Sequence, residues 1–182
     1  MTARAELFAL FRQWAWQEGD FVLSSGRRST YYINGKRVAL HPYGAWYAGQ
    51  VLQAMLPPDT AAVGGLTLGA DPLVTAVAIA SAQVQAPVMA LIVRKEAKGH
   101  GTGAWIEGPL PPPGSRVVVL EDVVTTGKSA LFAAERLRAA DFAVDTVLTL
   151  VDRDEGGTAA LAAAGLRLQA VFTLADLQRG TL

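Results

Sequence analysis

One run, Arg116-Val117-Val118-Val119-Leu120-Glu121-Asp122-Val123-Val124-Thr125-Thr126-Gly127-Lys128-Ser129-Ala130, restricts this chain more than any other. Arg116 to Leu120 reads as a strand that must be buried, and two adjacent carboxylates close it. Thr125-Thr126-Gly127-Lys128-Ser129 then forms a turn that opens a helix. In an open parallel sheet, ligands collect at the carboxyl ends of the strands. The free N–H groups of a helix N-terminus hold phosphate there. Carboxylates beside such a cradle suit sugar hydroxyls or a phosphate-bound metal, so the run points to a phosphorylated sugar. A P-loop is excluded, because the position five before Gly127 is Asp122 and not glycine. A dinucleotide fingerprint is excluded too, because the turn has a single glycine. A helix-capping threonine accounts for Thr125 or Thr126, but not for two carboxylates at the end of an apolar strand.

The remaining elements place this run in an α/β fold. Strands are expected over 61–64, 88–93, 144–151 and 168–172, alternating with helices over 42–56, 71–83, 128–139 and 158–163. That order implies βαβ units and a mostly parallel sheet flanked by helices. Residues 1–40 break the alternation. A helix with Leu7, Leu10, Phe11 and Trp14 on one face precedes two short strands between Phe21 and Ile33. This part is expected to cap one side of a single domain spanning 1–182. Between Val93 and Arg116 lies Arg94-Lys95-Glu96-Ala97-Lys98-Gly99-His100-Gly101-Thr102-Gly103, followed by a proline-rich return. Three alternate glycines and a cluster of cations suggest a lid over an anionic ligand, with 94–115 as its extent.

Composition narrows the function classes. Net charge is zero, which argues against nucleic acid or a membrane surface as a general partner. Of the 16 basic residues only Lys36, Lys95, Lys98 and Lys128 are lysines, and three of them fall in the two glycine-containing segments above. The chain has no cysteine, hence neither a disulfide framework nor a thiolate metal site. The longest apolar stretch, Leu73 to Val93, is interrupted by Gln83, Gln85 and Pro87 and reads as helix, turn and strand rather than a membrane span. The first residues carry no apolar signal core. A cytoplasmic protein is expected.

The run at 116–130 resembles the 5-phosphoribosyl-1-pyrophosphate (PRPP) signature of type I phosphoribosyltransferases, and three further segments resemble orotate phosphoribosyltransferases in particular. These are Phe21-x-Leu23-x-Ser25-Gly26-x-x-Ser29-x-Tyr31-Tyr32, Arg94-Lys95-x-x-Lys98-x-His100-Gly101 and Val151-Asp152-Arg153-x-Glu155-Gly156, in that family's order. The resemblance implies the type I fold with an N-terminal hood and a mobile lid. It implies transfer of the phosphoribosyl group of PRPP to orotate, giving orotidine 5′-monophosphate and pyrophosphate, a step of pyrimidine biosynthesis. It also implies Mg²⁺ held mainly by PRPP and water with no direct protein ligand, and a homodimer whose lid reaches the partner's site.

The residues give each part a chemical sense. The 5′-phosphate is expected on the backbone of 123–129, from Val123, Val124, Thr125 and Thr126 through Gly127, Lys128 and Ser129. Glu121 and Asp122 are expected on the ribose 2′- and 3′-hydroxyls, where they favour cationic charge developing on the sugar. Arg94, Lys95, Lys98 and His100 would neutralise the leaving pyrophosphate, with Lys98 as the main catalytic cation and His100 as a proton or hydrogen-bond donor. Arg153 fits the orotate carboxylate by two parallel hydrogen bonds, unless it forms an ion pair with Asp152 or Asp154. Thr125 lies on the orotate side as well. Tyr31 and Tyr32 are candidates to stack on the pyrimidine. Adjacent strand residues face opposite ways, so one stacks and the other is expected in the core.

Some family members carry a lysine where this chain has Ser24, and another in the loop that here reads Gly64 to Asp71 and has none. That leaves pyrophosphate to backbone N–H groups there. A phosphoribosyltransferase for a purine base would keep residues 121–129 without needing Arg153. A PRPP-sensing regulator of the same fold would want a basic face or an added DNA-binding segment, and residues 1–40 contain no helix-turn-helix pattern.

Overall fold

The computed structural model describes residues 2–22, 28–97 and 104–181. Its centre is a six-stranded sheet in the order β5-β4-β3-β6-β7-β8. The strands are β3 (Thr60–Leu66), β4 (Met89–Val93), β5 (Ile106–Glu107), β6 (Arg116–Val124), β7 (Thr146–Asp152) and β8 (Arg167–Thr173). All neighbours are parallel except β5, which returns antiparallel along β4.

Both faces are covered, as a parallel sheet requires. On β6, Val118 and Leu120 join the core under α1 (Ala3–Leu10), α3 (Pro42–Ala54) and α4 (Asp71–Gln83). Val117 and Val119 face the opposite core with α5 (Lys128–Ala139) and α6 (Gly157–Ala163). Helix starts follow local chemistry. Pro42 and Pro72 occupy first-turn positions, where their missing N–H costs nothing. His41 Nδ1 accepts from the Gly44 N–H. The closing helix α7 (Leu174–Arg179) has a reciprocal capping box between Thr173 and Asp176.

Several boundaries differ from the sequence reading. β6 runs to Val124, so both carboxylates sit within the strand rather than beyond it. The first helix ends at Leu10 and passes through a π-helical turn, Phe11–Ala15. The wider turn shifts the apolar stripe. Leu7, Phe8 and Phe11 are buried, whereas Trp14 is 39% exposed. Nor is the whole of 1–40 a cap. Phe8 and Phe11 pack edge-on against Phe172, and Arg12 donates to the Leu177 carbonyl, so α1 belongs to the main core. Only the hairpin of β1 (Trp16–Val22) and β2 (Arg28–Ile33) forms a separate sheet. A short helix α2 (Lys36–Ala39) follows it. Within 94–115 the flanks of the expected lid are paired. Arg94 N–H donates to Trp105 O, and β5 follows immediately.

Candidate active site

The turn after β6 is built for an anion. Gly127 takes φ +80° and stands at the N-cap of α5 with no side-chain hydrogen bond. Neither Thr125 nor Thr126 caps the helix, so the first-turn N–H groups are left to a ligand. Glu121 and residues 123–130 line a cavity of about 140 Å³ there. Gly157 packs against this turn, where a Cβ would lie 2.6 Å from the Thr125 carbonyl oxygen.

The two carboxylates converge although they are neighbours on a strand. After Val117 to Leu120 alternate between the two cores, Val123 packs with the Val118 and Leu120 set and Val124 with the Val117 and Val119 set. The alternation therefore slips across Glu121 and Asp122. Both side chains are buried, at 8% and 6% exposure. A Cβ at Gly69, in the loop after β3, would stand 2.6 Å from Asp122 Oδ1 and 3.0 Å from Glu121 Oε1. Burial first, then the charge of Asp122 and a hydrogen bond with it, push the Glu121 carboxyl up to about 8, while Lys36 pulls it down. Glu121 Oε2 has no hydrogen-bond partner. Lys36 Nζ lies 3.6 Å from Asp122 Oδ2.

Toward the β4 edge, Arg94 and Lys95 share an open cleft of about 460 Å³ with Thr67. Thr67 N–H is bonded to Val93 O and its hydroxyl donates to Asp71, and the Thr67–Leu68 peptide is cis. Arg94 forms an ion pair with Glu107 at 3.3 Å. The expected cations Lys98 and His100, with Ser24, Ser25 and Gly26 of the hairpin, lie outside the described residues.

On the other side, Arg153 is 7% exposed at the end of β7. Its N–H bonds Val124 O, which ties it to β6. Its ion partner is Glu155 at 2.7 Å, not Asp152 or Asp154. Asp152 instead accepts from Asp154 N–H and the Thr158 hydroxyl, shaping the turn. Nη2 is taken by that ion pair, and Nε of Arg153 has no hydrogen-bond partner. The guanidinium sits 5.5 Å from the centre of the Tyr31 ring, which stacks on Trp16 at 5.2 Å. Tyr32 turns away toward Phe21 and is 38% exposed. Tyr31 is thus the tyrosine beside Arg153, and Tyr32 is not the core residue that strand alternation suggested, because a two-stranded hairpin covers only one of its faces.

The sequence reading missed Lys36, Gly69 and Gly157. The scarcity of lysine is the signal that points to Lys36. The glycines give none, since close approach to a distant strand is a tertiary fact.

The site can therefore hold a phosphate on backbone N–H groups, a diol on two carboxylates, and a planar anion on a guanidinium beside an aromatic ring. No protein-family model matches the sequence. The chain is 60% identical over 178 residues to an orotate phosphoribosyltransferase of Nostoc sp., covering 98% of this chain and 86% of that protein. Its fold is similar to that of the Mycobacterium tuberculosis orotate phosphoribosyltransferase in complex with Fe(III) dicitrate, with a TM-score of 0.85 and 42% identity, covering 96% of this chain and 98% of that one. A structure of the M. tuberculosis enzyme in complex with PRPP matches with a TM-score of 0.81 and 39% identity over 97% of this chain and 99% of that one. With identity of this order over nearly its whole length, the chain belongs to the orotate phosphoribosyltransferase family.

Proposed function

We infer that this site runs the reaction for which its family is named. The bond between ribose C1′ and the pyrophosphate oxygen of PRPP breaks, a bond from C1′ to a ring nitrogen of orotate forms, and the proton on that nitrogen leaves with the pyrophosphate. The observation that carries the choice of base is Arg153, buried beside the Tyr31 ring, with Nη2 paired to Glu155 and Nε without an acceptor. A buried donor without an acceptor is costly, and a carboxylate such as that of orotate is the group a guanidinium recognises best. A purine offers no such group.

The other parts follow from the geometry. The helix α5 N-terminus and the turn at 125–129 take the 5′-phosphate. Glu121 and Asp122 bond the ribose hydroxyls, and Asp122, beside Lys36, stabilises positive charge at the sugar as the leaving group departs. Arg94 and Lys95, beside Thr67, face the pyrophosphate, with Lys98 and His100 of the adjoining segment completing its neutralisation. Mg²⁺ suits this donor set as a PRPP-borne, largely hydrated ion. Among the described residues no group of three or more His, Asp or Glu is arranged to cage it. When bound, it would screen the charge of the pyrophosphate.

A homodimer in the cytoplasm, with Lys98 serving the partner's site, completes this reading and rests on the resemblance of 94–101. Lys98→Ala and Asp122→Asn, each nearly inactive, should regain about a quarter of wild-type activity when subunits are exchanged in a symmetric dimer. The reaction itself is tested by following orotate absorbance with PRPP and Mg²⁺, against uracil and adenine as bases. Consumption of orotate alone is expected. Equal use of adenine would overturn the reading.

A further inference from the structure

Lys36 is the one cation that reaches the acidic pair among the described residues, and no feature of its own segment marked it. It opens α2, directly after the turn Asn34-Gly35 that ends the hairpin. The turn is seated on the strand it serves. A Cβ at Gly35 would stand 2.9 Å from Asp122 Oδ2 and 2.9 Å from Val123 Cγ2. Asn34 Oδ1 is buried there without a partner. From this position Lys36 Nζ reaches Asp122 Oδ2 at 3.6 Å, with the lysine side chain 48% exposed and the carboxylate 8%. An exposed pair of this length contributes little to stability. Here one member is buried beside a second carboxylate, where an uncompensated charge is costly.

We propose that Lys36 is a positioning residue for the reaction. Through Asp122 it holds the two sugar-facing carboxylates in their converged arrangement, and it joins them to the hairpin that carries Tyr31. The proposal rests on the reading that Asp122 binds the ribose. The ammonium also opposes the rise in the Glu121 carboxyl that burial causes. Because Lys36 sits on the hairpin side of the pair, it links the part of the molecule beside Arg153 to the part that holds the sugar.

The test uses Lys36→Met, which keeps the length of the side chain and removes its charge, and Lys36→Arg, which keeps the charge. Lys36→Met should lower kcat/KM for PRPP about tenfold or more, with the KM for orotate within about twofold of wild type. Lys36→Arg should restore most of the loss. Unchanged PRPP kinetics in a folded Lys36→Met protein overturns the proposal, as does a Lys36→Arg variant as impaired as Lys36→Met. A cycle with Asp122→Asn separates this idea from the reading beneath it. PRPP affinity, measured from its shift of the thermal midpoint, should fall on Lys36→Met in the wild-type background and change little in the Asp122→Asn background. Equal losses in both backgrounds show that Lys36 does not act through Asp122 and overturn the proposal. Full activity of Asp122→Asn alone would instead overturn the role of the carboxylate.

Discussion

The sugar-phosphate side and the base side of this site are built by opposite means. On the first, one continuous stretch from Glu121 to Ser129 supplies almost everything, and it works largely through backbone. The N-cap at Gly127 has no side-chain partner, and Gly69 and Gly157 allow main chain and carboxylates to approach. On the second, side chains from distant elements meet. Tyr31 comes from the hairpin, and Arg153 from the end of β7. The first side is supplied mostly by one segment, with Gly69, Gly157 and Lys36 fitted against it from elsewhere. The second exists only once the hairpin has docked, and Nε of its guanidinium still has no acceptor.

The largest expected effect breaks the sugar side. Asp122→Asn keeps the shape and removes the charge, so turnover should fall by about a hundredfold to a thousandfold while the thermal midpoint stays near wild type. Steady-state rates together with a melting curve check this, and full activity would make the carboxylate purely structural.

A smaller effect is expected on the base side. Arg153→Ala should lower kcat/KM for orotate about a hundredfold and leave PRPP affinity nearly unchanged, since a charge-assisted pair of hydrogen bonds contributes a few kcal/mol. If PRPP binding fell equally, the two sides would not be separable units.

The third expectation sharpens the contrast through stability. The Glu121 carboxyl rises from 4.5 to about 8 on folding. Across that window the native state binds the proton and the unfolded state does not, so this group's contribution to stability falls as pH rises from about 4.5 to about 8. Glu121→Gln has no charge to bury. Its advantage over wild type should be near zero at pH 4.5 and of the order of a few kcal/mol above pH 8. Urea unfolding at pH 5 and pH 9 measures it. A gain independent of pH would mean that packing, not ionisation, is responsible.

The same contrast explains what the sequence made legible. The strand, turn and helix at 116–139 could be read because buried apolar runs, paired carboxylates and a glycine turn are local signals, and α5 has the expected bounds. The meeting of the Glu121 and Asp122 side chains could not be read, because strand periodicity alone sends neighbours apart. The ion pair of Arg153 with Glu155 was likewise hidden, since the turn at 152–156 is folded by Asp152 accepting from its neighbours, which leaves Glu155 to reach back. Lys36 was visible as a scarce residue but not as a neighbour of Asp122. That proximity depends on Gly35 fitting against a strand far along the chain. The π-helical turn at Phe11–Ala15 displaced Trp14 from the stripe for a similar reason, since an assumed period of 3.6 residues does not anticipate a wider turn.

The backbone-built cradle also has a consequence for how this protein tolerates sequence drift. A hydrogen bond offered by a main-chain N–H survives the exchange of the side chain on the same residue. The proposed phosphate site is therefore buffered against most substitutions at 125–129 and fragile at a few points where any side chain intrudes. Gly157, pressed against the Thr125 carbonyl, and Gly127, held at φ +80°, concentrate that fragility. A library scanned for retained activity should show a shallow profile along the turn, cut by two sharp minima. One of them lies some thirty residues away in sequence from the phosphate it protects.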